Sequence, residues 1–127
     1  MGIRVVVRDD QGCVAATLNK WIDALLGAVE TEAKAFVASL QFAKDIGVQD
    51  FILEGDSLIL YWALSGLAPS PSSVDSLILG MQDFCEEFHK VSFSHVRRQG
   101  NMLAHLLAKY VKSIVVFLLG WKRTLVS

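Results

Sequence analysis

"AVETEAKAFVASLQFAKDIG" sets Val29, Ala33, Phe36, Val37, Leu40 and Ala43 at helical spacing. Gly47 stands where glycine commonly closes a helix. "DFILE" (Asp50 to Glu54) follows almost at once. It is too short for a second helix, and its apolar core does not alternate. A strand of this kind is covered on both faces and is reached from its neighbours by crossovers. The pair therefore requires an α/β arrangement rather than an all-helical or all-strand one.

The other segments fit around that pair. "IRVVVR" (Ile3 to Arg8) is β-branched, "DDQG" is a short loop, and "CVAATL" (Cys13 to Leu18) returns as the second arm of a hairpin. The stretch from Asn19 to Gly27 has no clear period and reads as connection. "GDS" is a turn with good helix-capping residues, and "LILYWAL" (Leu58 to Leu64) is a short helix ending at Gly66. Both prolines lie in "LAPSPSS", too short a linker to divide domains. Val74, Leu77, Ile78, Met81, Phe84, Cys85 and Phe88 keep a helical period as far as His89. "VSFSHV" (Val91 to Val96) alternates as a strand. "RRQGN" leads, with Asn101 as N-cap, into a helix carrying Leu103, Leu106, Leu107 and Tyr110 inward. The order is β-β-α-β-α-α-β-α, without an internal repeat, which gives a mixed sheet in a single domain.

A chain of 127 residues, 53% of them hydrophobic and 20% charged, has the means to bury a core. A net charge of −1 leaves nucleic-acid binding to a local basic patch. The start of the chain has no secretory pattern, and "SIVVFLLGW" is far shorter than the roughly 20 residues of a membrane helix. Cys13 and Cys85 fall on apolar faces, as buried reduced thiols do, which suits an intracellular, reducing setting. Cys85 and His89, four apart on the expected helix, make at most half a metal site, because structural zinc takes four ligands.

Polar groups gather where strands end and helices begin. Glu32 lies at the edge of the long helix's apolar stripe. It is either directed along the sheet margin or simply solvated near a helix start, where acids are favoured. Asp56 follows "FILE" at the strand's C-terminal end, where open α/β sheets place their sites. It is either a site residue or, like Ser57, a helix cap. His105 lies on the polar face of the last helix, beside Asn101 and Lys109. His95, Arg97, Arg98, Lys109 and Lys112 form a basic cluster at and after the last strand. It is either a solvated turn or a phosphate-contacting patch.

Taken together, "VVVRDDQGCV", "ETEAKAFVASLQFAKDIG", "LEGDS" and "HVRRQGNMLAHLLAK" resemble the ribonuclease H-type domain, in the plant branch found in retroelement-derived reading frames. The resemblance runs from about Gly2 to Tyr110, so residues 1–112 are expected to form the RNase H-like domain and residues 113–127 an apolar tail outside it. It implies a five-stranded mixed sheet flanked by helices. It also implies hydrolysis of the RNA strand of an RNA–DNA hybrid by two Mg²⁺ held on four carboxylates. Residue by residue, Glu32 matches the glutamate of the first long helix, Asp56 matches the aspartate after the strand, and His105 stands where a fourth carboxylate is expected.

The family's first aspartate lies on a central strand upstream of the hairpin, and this chain starts at the hairpin. Asp9 and Asp10 sit in the hairpin loop, at the far end of the strand pair, and do not replace it. Glu32 and Asp56 are therefore the expected metal ligands, with weak or absent Mg²⁺ binding, because the neutral imidazole of His105 supplies no charge. His95, Arg97, Arg98, Asn101 and Lys109 are the expected nucleic-acid contacts. An empty central position would leave two strand edges unpaired. Either the sequence is part of a longer protein, or "SIVVFLL" (Ser113 to Leu119) fills the gap. Three functions follow from these alternatives: a nuclease of impaired activity, a non-catalytic nucleic-acid-binding module, or a protein-interaction domain that uses the apolar tail.

Overall fold

The computed structural model describes residues 2–21, 27–96 and 111–118. Strands β1 (Gly2–Arg8) and β2 (Val14–Trp21) form an antiparallel hairpin, and helix α1 (Ala28–Asp45) leads to strand β3 (Asp50–Gly55). Helix α2 (Leu58–Leu64), a single 3₁₀ turn and helix α3 (Asp75–Cys85) follow, then strands β4 (Lys90–His95) and β5 (Val111–Leu118). The five strands make one sheet in the order β2-β1-β5-β3-β4.

The last strand in sequence is thus the middle one in space. It runs parallel to β1, with Ile114 beside Val5, and antiparallel to β3, with Val115 beside Glu54. β3 and β4 are parallel, as a crossover through α2 and α3 requires. The open position between the hairpin and "FILE" is filled by β5, which begins two residues before the segment Ser113 to Leu119 that the sequence offered as one of two answers.

The hairpin loop is built by Asp9. Its Oδ1 accepts the backbone N–H of Gln11 at 3.0 Å and of Cys13 at 2.8 Å, and Gly12 turns the chain at φ 82. Small residues let α1 lie close on the sheet: Ala33, Ala35, Ser39 and Ala43 are buried beneath it with Phe36 and Leu40. The Ser39 hydroxyl is satisfied by the carbonyl of Ala35 at 2.7 Å. Ile3, Val5, Val7, Phe51, Leu53, Ile114 and Val116 supply the sheet's share of the core.

Three expectations need correction. β2 continues to Trp21, through residues read as connection; as an edge strand with little of its length buried, it has no alternation to reveal it. α3 stops at Cys85, although the apolar period runs on. Tight i→i+3 bonds from Glu86, Glu87 and Phe88 carry the chain through a last turn, which sets Phe88 against Phe51 with ring centroids 4.8 Å apart. Cys85 and His89 therefore share no helix face, and the His89 ring bonds instead to Asp50 at 2.5 Å. Cys13 is exposed in the hairpin loop rather than buried, because Asp9 fixes the loop there. The helix expected after Asn101 lies outside the described residues. Among those residues no helix is long and apolar enough to cross a membrane.

Two predictions follow. Burial pushes the Cys85 thiol up to about 11, so at pH 8 iodoacetamide should label it roughly 100-fold more slowly than in urea, because the thiolate is the nucleophile. Cys13 should react in the native state; equal native rates for the two would contradict the burial of Cys85. As an inner strand, β5 should exchange its amide protons as slowly as β1. Rapid exchange across residues 114–118 would mean that β5 does not hold the sheet together.

Candidate functional site

The site lies at the C-terminal end of β3, under the first turns of α1. Glu32, on the second turn of α1, points inward and is 1% exposed, so it is not the solvated acid that the edge of the apolar stripe also allowed. What makes room for it is Gly55, the last residue of β3. A Cβ there would stand 2.7 Å from Glu32 Oε1, 2.8 Å from Phe36 Cζ and 3.2 Å from Ile114 Cδ1. The carboxylate of α1, a ring of α1 and a methyl group of β5 thus converge over one residue that has no side chain. Asp56 follows directly, partly buried, where the chain leaves the sheet.

The helix-cap alternative for Asp56 is taken by its neighbour. Ser57 is the N-cap of α2, its Oγ accepting the Leu60 N–H at 3.3 Å. The turn that carries Asp56 is braced from the side by β4. His95 pairs with Gly55 in the ladder, and its Nε2 lies 3.2 Å from the Asp56 carbonyl, placed to donate to it. Val96 N–H donates to the Gly55 carbonyl at 3.0 Å. The Tyr61 ring lies 6.3 Å from the His95 ring, which limits how far the imidazole can swing.

Glu32, Asp56 and His95 are therefore brought to one end of the sheet. Arg97, Arg98, Asn101, His105 and Lys109 lie outside the described residues. Asp9 and Asp10 are at the opposite end of the sheet, with the carboxylate of Asp9 engaged in its own loop. Glu54 is also close in sequence, but strand alternation turns it to the face away from Glu32. Burial raises its carboxyl above the usual range. Among the described residues no three His, Cys, Asp or Glu side chains come together as a metal site. Glu32 and Asp56 carry hard oxygen donors of the type Mg²⁺ takes.

The sequence is matched by the family model for "Reverse transcriptase-like" over residues 1–111. The chain belongs to the reverse transcriptase-like family. No curated protein matches it. Among solved structures, this reverse transcriptase-like domain is similar to RNase H1 from the halophilic archaeon Halobacterium salinarum NRC-1, with 19% identity, coverage of 76% of this chain and 86% of that one, and a TM-score of 0.68. It is also similar to the N-terminal RNase H domain of rv2228c from Mycobacterium tuberculosis, determined as a fusion with maltose binding protein. There the identity is 17%, the coverage 76% and 88%, and the TM-score 0.63. The fold is that of an RNase H-type domain.

Sequence reasoning passed over Gly55, because a glycine between a strand and a capping residue reads as part of a turn. The signal was the pairing of a helix carboxylate with a glycine at a strand end, and it has meaning only once α1 is known to cross β3. Gly55→Ala should lower stability by about 1–3 kcal/mol, the usual cost of an extra carbon in a filled space. A urea titration should show a lower midpoint at unchanged slope. An unchanged midpoint would mean that Glu32 and Phe36 do not close over this position.

Proposed function

We propose that this chain is an RNase H-type domain of the plant retroelement-derived branch, which binds nucleic acid as RNA–DNA hybrid and whose hydrolysis is impaired. The observation that carries the reading is the Glu32 carboxylate held over Gly55 at the end of β3, next in the chain to Asp56 and beside the His95 brace. Both comparison structures are RNase H proteins, which supports hybrid as the ligand. In this reading Glu32 and Asp56 bind one hydrated Mg²⁺ weakly. His95, Arg97, Arg98, Asn101 and Lys109 contact phosphates and sugars, which position a duplex without reading its sequence.

The impairment follows from charge. Hydrolysis through a metal pair needs one ion to activate water and another to stabilise the leaving oxygen. Two carboxylates carry too little negative charge for such a pair. The central strand, "VKSIVVFL", contains no acid that could add a third. His105, at the expected fourth position, adds no negative charge.

The test is an RNA–DNA hybrid cleavage assay with Mg²⁺ and with Mn²⁺, beside Asp56→Asn. Binding of the hybrid should weaken steeply between low and physiological salt, as phosphate contacts require. Cleavage should not rise above the Asp56→Asn background, and His105→Asp alone should add little Mg²⁺ affinity in a calorimetric titration. Robust cleavage that Asp56→Asn abolishes would overturn the impairment. Salt-independent or absent hybrid binding would overturn the nucleic-acid reading.

A further inference from the structure

The hairpin extends beyond the candidate site at the same end of the sheet. Val6 lies level with Val115, and Val115 with Glu54, so Gly2 and its partner Trp21 stand four residues past Glu54. At about 3.3 Å per residue that is roughly 13 Å beyond it along the strands. β2 is separated from β3 by β1 and β5, so it lies roughly 14 Å to the side at the usual strand spacing.

The end of the hairpin has an unusual surface. Trp21 is 70% exposed, on an edge strand where nothing in the core calls for an indole. Lys20 and Lys34, with Gln41 and Trp21, line a groove of about 550 Å³ between the hairpin and α1. Round the strand edge, Trp21 and Lys20 also line a second hollow, with Arg4 and Asn19. Arg4 Nε is held towards Asn19 Oδ1 at 3.4 Å. Among the described residues neither hollow is lined by an acid, and neither lysine joins an ion pair.

An exposed aromatic side chain near several cations is the combination that holds single-stranded nucleic acid: bases stack on the ring while lysines follow the phosphates. The volume falls within the roughly 300–1,000 Å³ of small-ligand sites. We propose that the end of the β1–β2 hairpin is a landing site for single-stranded nucleic acid flanking the duplex held at Glu32 and Asp56. Trp21 is the stacking platform, and Lys20, Lys34 and Arg4 are the phosphate contacts. The assignment of nucleic acid as ligand rests on the function proposed above.

The test uses fluorescence anisotropy with three labelled probes: a blunt RNA–DNA hybrid, the same hybrid with a ten-nucleotide single-stranded extension, and the single strand alone. The extension should tighten binding on the order of 10-fold, the scale of one stacked base. Trp21→Ala should remove that gain and leave the blunt hybrid unchanged, and Trp21→Phe should restore part of it. Lys20→Ala with Lys34→Ala should flatten the salt dependence of the extended probe by roughly 1.4 in log–log slope, two phosphate contacts' worth. Blunt binding with no gain from the extension, or a gain indifferent to Trp21, would overturn the landing site and leave the hybrid reading intact. Binding of the single strand through Trp21 with none to the blunt hybrid would support the site and overturn the hybrid reading. No binding of any probe would overturn both.

Discussion

β5 is the one element through which the two halves of the sheet are hydrogen-bonded. The hairpin β2-β1 ends in an inner edge at β1, and the parallel pair β3-β4 ends in another at β3. Each edge is a row of backbone donors and acceptors that must be paired, because both lie beneath α1 and away from water. β5 satisfies both rows at once, and its Ile114 and Val116 complete the floor on which α1 rests. The position of Glu32 depends on it as well, since Ile114 closes the same space over Gly55 that the carboxylate enters.

The sense of β5 also bears on chemistry. It runs parallel to β1, whereas a strand joined to β1 by a tight hairpin would run antiparallel to it. The central position is therefore occupied with the opposite polarity, by a segment that has no acid among its eight residues. Shape and charge are separated here: the packing role of a central strand is met by β-branched residues, and no carboxylate comes with them.

Much of this was legible in the sequence, for reasons that can be named. α1, β3 and α2 could be read because each has its own periodicity or its own capping chemistry, with Gly47 just past the end of α1 and Ser57 at the start of α2. The tail could be read as one of two answers to the edges left without partners, from its β-branched composition. Less legible were features set by neighbours far along the chain. The burial of Glu32 depends on a glycine 23 positions later and on an isoleucine in β5. The length of β2 escaped notice because an exposed edge strand has little reason to alternate. The end of α3 escaped because a 3₁₀ turn keeps an apolar side chain on nearly the same face as the helix it follows.

The central place of the final strand has a consequence for synthesis. As the chain leaves the ribosome, the hairpin, α1 and the β3-β4 pair all emerge before residue 111. The inner edges of β1 and β3 must then wait, unpaired, for a strand more than 100 residues distant from the first of them. Domain closure is therefore a late, non-local event, with the loop-closure cost and slow kinetics that such contacts bring. During that interval the nascent chain presents two adhesive β edges, the state in which neighbouring chains most readily pair with one another.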